Sequence, residues 1–217
     1  MFWFTAKDSC LTYSYVYWQF DEIIDLFNVD RGRRMSGVNA VMEKETISYA
    51  EKLDEANSIE INSFLSDFHG VDIQKSRLAA IELTYFQKEG VLELTNALQS
   101  HQAHVAAHAA LALGIIGHEA RSATYSLSWA LQQKDTGLRE NAAAALGRIV
   151  PSDMVAIVAL GNALQDSALS VRQYASAALC EFGSKVNLVE TQLTQAINDE
   201  DEHVREFVLQ ALSNMNV

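Results

Sequence analysis

The feature that most constrains this chain is a sequence pattern that returns at one fixed period. The segment His104-Val105-Ala106-Ala107-His108-Ala109-Ala110-Leu111-Ala112-Leu113-Gly114 lines up with GLRENAAAALG from Gly137, SVRQYASAALC from Ser170 and HVREFVLQALS from His203. The starting positions 104, 137, 170 and 203 are evenly spaced. A second ladder holds the same spacing upstream at Leu94, Leu127, Leu160 and Leu193, and a third at Leu98, Leu131, Leu164 and Ile197. Self-similarity at such a period marks an array of supersecondary units, each too small to bury its own apolar face.

Each unit reads as two helices. The first, A, ends near the Leu98/Leu131/Leu164/Ile197 position, and a polar turn such as QQKDTG or NDEDE follows. The second, B, starts at Val105, Leu138, Val171 and Val204. On B, Val171, Ala175, Ala178, Leu179 and Phe182 recur at the spacing of one helix face. Alanines at Ala109, Ala142 and Ala175, and at Ala112, Ala145, Ala178 and Ala211, let neighbouring helices approach closely. A degenerate earlier unit pairs a helix near Ile59 to Ser66 with one carrying Ile73 and Ala80-Ile81, and a helix over 41–55 caps the stack. The expectation is an all-α superhelix, a solenoid of about five helix pairs spanning residues 35–217. Leu113, Leu146, Leu179 and Leu212 are its equivalent core anchors.

Composition agrees. One proline, Pro151, and 10 glycines leave little turn chemistry for a sheet protein. The net charge of −12 disfavours nucleic acid and anionic lipid surfaces as partners. It is spread evenly: residues 1–70 carry 6 basic and 12 acidic side chains, residues 71–217 carry 10 and 16, and each part nets −6. Cys10 and Cys180 are isolated and follow no CxxC spacing, which fits a reducing cytoplasm. No run of about 18 apolar residues predicts a membrane span, and no signal peptide is expected at the N-terminus.

The pattern V-R-x-x-A-x-x-A-L-x-x-[IF]-G resembles HEAT repeats, and ALGIIG at 112–117 and ALGRIV at 145–150 resemble the subtype found in phycobilisome chromophore lyases. The resemblance covers roughly residues 59–217. It implies the solenoid fold and two functions. One is a non-catalytic scaffold that binds a protein partner and needs no cofactor. The other is a phycobilin lyase or phycobilisome assembly or degradation factor, which would handle a bilin transiently and act on a phycobiliprotein. Tyr174, Arg172 and Arg205 are the residues available to a bilin, though they form no recognisable motif.

The N-terminal segment 1–34 has no repeat phase, yet Phe2, Trp3, Phe4, Tyr13, Tyr15, Tyr17, Trp18, Phe20 and Phe27 are nine of the chain's 19 aromatics. Three readings stay open: a sticky binding arm, an extra helix at 18–28 packed on the first repeat, and a biological start at Met35 after Arg-Gly-Arg-Arg.

No residue set amounts to an active site, and no metal site is predicted. His101, His104 and His108 lack a further ligand at zinc spacing and read as solvated or capping side chains. His118-Glu119 is similar to the paired motifs of deoxyhypusine hydroxylases, iron enzymes on HEAT scaffolds, but it stands alone after helix B. Arg139, Arg172 and Arg205 recur at the repeat period, with Asp135, Asp166 and Asp199 in the turns before them. They predict a structural ladder in which a guanidinium bridges turn carbonyls and a carboxylate across adjacent repeats, the sharper alternative being a basic stripe for an anionic ligand.

At about 100° per residue, the rotation of an α-helix, the inner ridge of B falls on Ala107, Glu140, Gln173 and Glu206; on Leu111, Ala144, Ala177 and Gln210; and on Gly114, Gly147, Cys180 and Ser213. His108, Asn141, Tyr174 and Phe207 flank it. The predicted partner groove is Glu140, Gln173, Tyr174, Cys180, Glu206 and Phe207, with Cys180 exposed on the concave side. Trp129 takes a place held by Asn96, Asn162 and Gln195, and is the predicted secondary docking point on the convex side.

Overall fold

The computed structural model describes residues 61–149 and 153–215. Residues 61–68 are helical and precede nine helices: α1 (Ile73–Glu82), α2 (Gln87–Ala97), α3 (Ala103–Ile116), α4 (Thr124–Ala130), α5 (Thr136–Ile149), α6 (Met154–Ala163), α7 (Leu169–Glu181), α8 (Glu190–Ala196) and α9 (Glu202–Asn214). The described residues contain no strand. Five pairs follow: 61–68 with α1, α2 with α3, α4 with α5, α6 with α7, and α8 with α9. This is the all-α solenoid that the ladders predict. The aromatic-rich segment 1–34 and the expected cap at 41–55 lie outside the described residues.

Local chemistry signals several of the helix boundaries. Aspartates accept the orphan amides at helix starts. Asp72 Oδ1 takes Gln74 N at 3.0 Å and Lys75 N at 3.2 Å, Asp135 Oδ1 takes Leu138 N at 2.8 Å, Asp153 Oδ1 takes Val155 N at 2.8 Å, and Asp201 Oδ1 takes Val204 N at 3.1 Å. After α3 and α7 the chain turns at Gly117 (φ 66°) and Gly183 (φ 59°), left-handed positions where a side chain would be strained. Both glycines lead into 3-10 turns, Gly117–Ala123 and Gly183–Val189, before the short A helices α4 and α8.

The core is the ladders themselves. Leu94, Leu127, Leu160 and Leu193 are all fully buried, as are Leu113, Leu146 and Leu179. Leu212, the fourth anchor, is only partly buried, because no further pair stacks on α9 among the described residues. Successive B helices pack on one another more extensively than successive A helices do, so the B layer forms the inner side of the stack.

Candidate functional site

The arginine ladder is present, in corrected register. Arg139 Nε and Nη2 donate to Asp166 Oδ2 and Oδ1 at 2.7 and 2.9 Å, while Nη1 donates to the carbonyls of Gln133 and Lys134 at 3.0 and 2.9 Å. Arg172 repeats this one pair later. Its Nε and Nη2 reach Asp199 at 2.8 and 3.3 Å, Nη2 also meets Glu200 at 2.9 Å, and Nη1 holds the Asp166 carbonyl at 3.0 Å. Each guanidinium therefore ties its own A–B turn to the next one. Asp135 does not belong to this ladder. It is equivalent to Asp201, not to Asp166, and it caps a helix instead. Arg172 is buried, with its guanidinium engaged by Asp199, Glu200 and the Asp166 carbonyl.

The inner face departs from the expected groove. Cys180 is 1% exposed, Leu111, Ala144 and Ala177 are buried, and so are Gly114 and Gly147. The reason is B-on-B packing. The side chains of the next B helix reach back one repeat to carbonyls of this ridge: Asn141 Nδ2 to Ala107 at 2.9 Å, Arg148 Nε to Gly114 at 3.1 Å, and Asn214 Nδ2 to Cys180 at 3.2 Å. The small residues at this ridge are the contact between helices and not an open floor. Cys180 is therefore covered within the stack, and its expected exposure is corrected. Tyr174 and Phe207, expected as flanking anchors, are 7% and 8% exposed. Burial, and then the charge of Glu140, pushes the Tyr174 hydroxyl above its ordinary pKa.

The first position of the ridge stays accessible, as do Gln210 and Ser213 of α9. Glu140 and Gln173 are half-buried and Glu206 is exposed. Ser170 Oγ donates to Glu140 Oε2 at 3.0 Å, Gln173 Nε2 donates to Asp201 Oδ1 at 3.2 Å, and Glu206 lies 3.7 Å from His203 Nδ1. Among the described residues no lysine or arginine meets Glu140 or Glu206.

The histidines bind turns and helices. His104 Nε2 donates to the Gly70 carbonyl at 3.1 Å, and His108 Nδ1 shares a hydrogen bond with Ser76 Oγ at 3.1 Å. Burial, and then the charges of His104 and Arg77, lowers the His108 pKa to about 4. His118 receives Arg121 Nη2 at Nε2 at 3.1 Å and donates from Nδ1 to the Ile149 carbonyl at 3.3 Å. Among the described residues no three His, Cys, Asp or Glu side chains converge on a common point. No helix among them is long and apolar enough to cross a membrane.

On the outer side Trp129 is 41% exposed, beside Asn96, Asn162 and Gln195, which are exposed too. It has a companion that sequence reasoning missed. Leu92 (59%), Tyr125 (78%) and Val158 (44%) occupy one repeat position, and Tyr125 is one helical turn from Trp129. The signal was in the repeat spacing, applied to the A helices' outer face as well as their inner one.

No protein-family model matches the chain, and no curated protein is similar to it in sequence. Solved structures are similar in fold. An engineered protein aligns over 72% of this chain and 79% of its own, at 22% identity and a TM-score of 0.58. A chain of the complex of CpcE and CpcF of phycocyanin lyase from Nostoc sp. PCC7120 aligns over 71% of this chain and 99% of its own, at 20% identity and a TM-score of 0.57. A designed armadillo repeat protein in complex with the peptide (KR)4 aligns over 76% of this chain and 85% of its own, at 16% identity and a TM-score of 0.57. With these neighbours and its own ladders, the chain has the fold of a HEAT-like helical repeat solenoid.

Proposed function

We propose that the chain is a non-catalytic scaffold that holds a basic segment of a partner protein along the inner edge of its B helices. The observation that carries this reading is the pair Glu140 and Glu206. They stand at the same repeat position on α5 and α9, with Gln173 of α7 between them, and neither meets a lysine or arginine among the described residues. Carboxylates at regular spacing on a rigid stack can take successive cations of an extended peptide, and the net charge of −12 assists the encounter. One structural neighbour, of similar fold, is complexed with an alternating Lys-Arg peptide. The test is calorimetric titration of the full chain with a (KR)4 peptide. Binding that weakens about tenfold or more in Glu140→Gln plus Glu206→Gln supports the reading. Equal affinity in the folded double variant refutes it.

A second reading, a factor acting on a bilin-bearing protein, is favoured by the likeness that spans 99% of a phycocyanin lyase chain. Mixing the chain with free phycocyanobilin tests it. A shifted visible absorption band supports it, and an unchanged spectrum removes it.

A further inference from the structure

The outer face of α4 and α6 carries apolar side chains and no charge. Tyr125 and Trp129 stand one turn apart on α4, 78% and 41% exposed, and Val155 and Val158 stand likewise on α6, 46% and 44% exposed. The two helices pack side by side, and Tyr125 and Val158 hold the same repeat position. Leu92 extends the row onto α2. Neither residues 122–133 nor residues 154–165 include a charged side chain, although the chain carries 28 acidic and 16 basic ones. The neutral amides of Asn96 and Asn162 are exposed beside this row. Neighbouring exposed apolar side chains of this kind mark a binding face. A charged segment laid on them would lose water with no ionic partner, so the fitting occupant is apolar and uncharged.

The chain itself supplies such a segment. Residues 9–20, outside the described residues, include no charged side chain and hold Tyr13, Tyr15, Tyr17, Trp18 and Phe20. Tyrosine and tryptophan suit this face, since their rings cover apolar side chains while their O–H and N–H groups reach neutral amides. The chain also joins the stack on the matching side. Residues 61–68 are the A helix of the first pair, and Phe64 lies against Phe86 just before α2, with ring centroids 6.0 Å apart. Packed helices lie about 8–10 Å apart, which puts α4 about 20 Å and α6 about 30 Å along the A layer from there. Residues 21–60 join Phe20 to Ile61, and a chain of that length, at up to about 3.3 Å per residue, reaches either helix.

We propose that residues 9–20 of this chain dock in cis on the outer face of α4 and α6, over Tyr125, Trp129, Val155 and Val158. This places the aromatic-rich segment on the A layer and leaves the inner edge of the B helices to a partner. It does not depend on the peptide reading above.

The test uses a nitroxide label on Cys10, which lies within the proposed docking segment. The full chain has two cysteines, so Cys180→Ala leaves Cys10 as its one thiol. In the isotope-labelled chain the nitroxide should remove amide intensity around Tyr125, Trp129, Val155 and Val158, and spare Glu140 and Glu206. The loss should persist when the sample is diluted with unlabelled chain, because the contact lies within one molecule. Tyr17→Ser plus Trp18→Ser in the chain without a label should shift the same outer amides, which keeps the test decisive if the nitroxide itself disturbs the contact. Intensity loss confined to residues 61–68 and α1 overturns the proposal. So does a loss seen only between separately labelled copies, and so does an outer face that neither the label nor the double substitution affects.

Discussion

Asp166 lies 2.7 Å from Arg139 Nε while its own carbonyl accepts Arg172 Nη1 at 3.0 Å, so one residue joins the arginines of two successive helix pairs. Burial pushes the Asp166 carboxyl up. The Arg139 hydrogen bond, the Ala168 amide and the charges of both arginines outweigh it and hold the group below the usual carboxylate range. A carboxyl lowered in the folded state stabilises fully above its unfolded pKa, and the contribution is lost as pH falls through the folded one. Asp166→Asn should cost about 1–3 kcal/mol in urea unfolding near neutral pH, because it leaves the half-buried guanidinium underpaired. The wild-type and variant curves should converge at low pH. A difference that persists unchanged in acid would show that the ion pair is not its source.

Leu146 is fully buried in α5 at the centre of the stack. Leu146→Ala should cost about 2–5 kcal/mol by chemical denaturation, since the surrounding helices cannot close the cavity completely. Leu212→Ala should cost less, because that anchor is only partly buried. Equal costs would contradict the difference in burial between the two anchors.

Gly161 of α6 faces the next unit closely. A Cβ there would lie 2.5 Å from Val189 Cγ1 and 2.8 Å from its Cβ. Alanine would gain about 1 kcal/mol of helix propensity, against overpacking of about 1–3 kcal/mol in a filled core. The contact is with a short, branched side chain held in place, so the net effect of Gly161→Ala should be destabilising. A raised melting temperature would refute the close approach.

His108, lowered to about 4 from 6.5, should remain neutral at pH 7. Its folded pKa is depressed, so its neutral form favours folding above pH 6.5, and that contribution fades as pH falls toward 4. NMR titration of the histidines should show one resonance with a midpoint near 4, and His108→Gln should flatten the stability slope between those limits. A midpoint near 6.5 would contradict the burial against Ser76.

Much of this was legible in the sequence because the period fixes phase. The leucine ladders locate the helix pairs and the core, and Arg139, Arg172 and Arg205 announce the turn ladder. The expectation for Cys180 fails for a physical reason. The rotation per residue describes one helix alone, whereas the next B helix covers that ridge and reaches its carbonyls through Asn214 and Arg148. The small side chains at Gly114, Gly147 and Cys180 are themselves the clue, since smallness marks where another helix comes close. Proximity to Arg139 groups Asp135 with the wrong set. Stepping by whole repeats separates the two: Asp201 leads back through Ala168 to Asp135, all at helix starts, whereas Asp199 leads back to Asp166.

The central claim is that a basic partner segment lies on the inner edge of the B helices, and backbone amide mapping tests it most directly. Adding a (KR)4 peptide to the isotope-labelled full chain should shift amide resonances around Glu140, Gln173 and Glu206. It should leave those around Leu92, Tyr125, Trp129 and Val158 unmoved. Shifts confined to the outer A-helix positions, with the B-helix edge silent, would contradict the account.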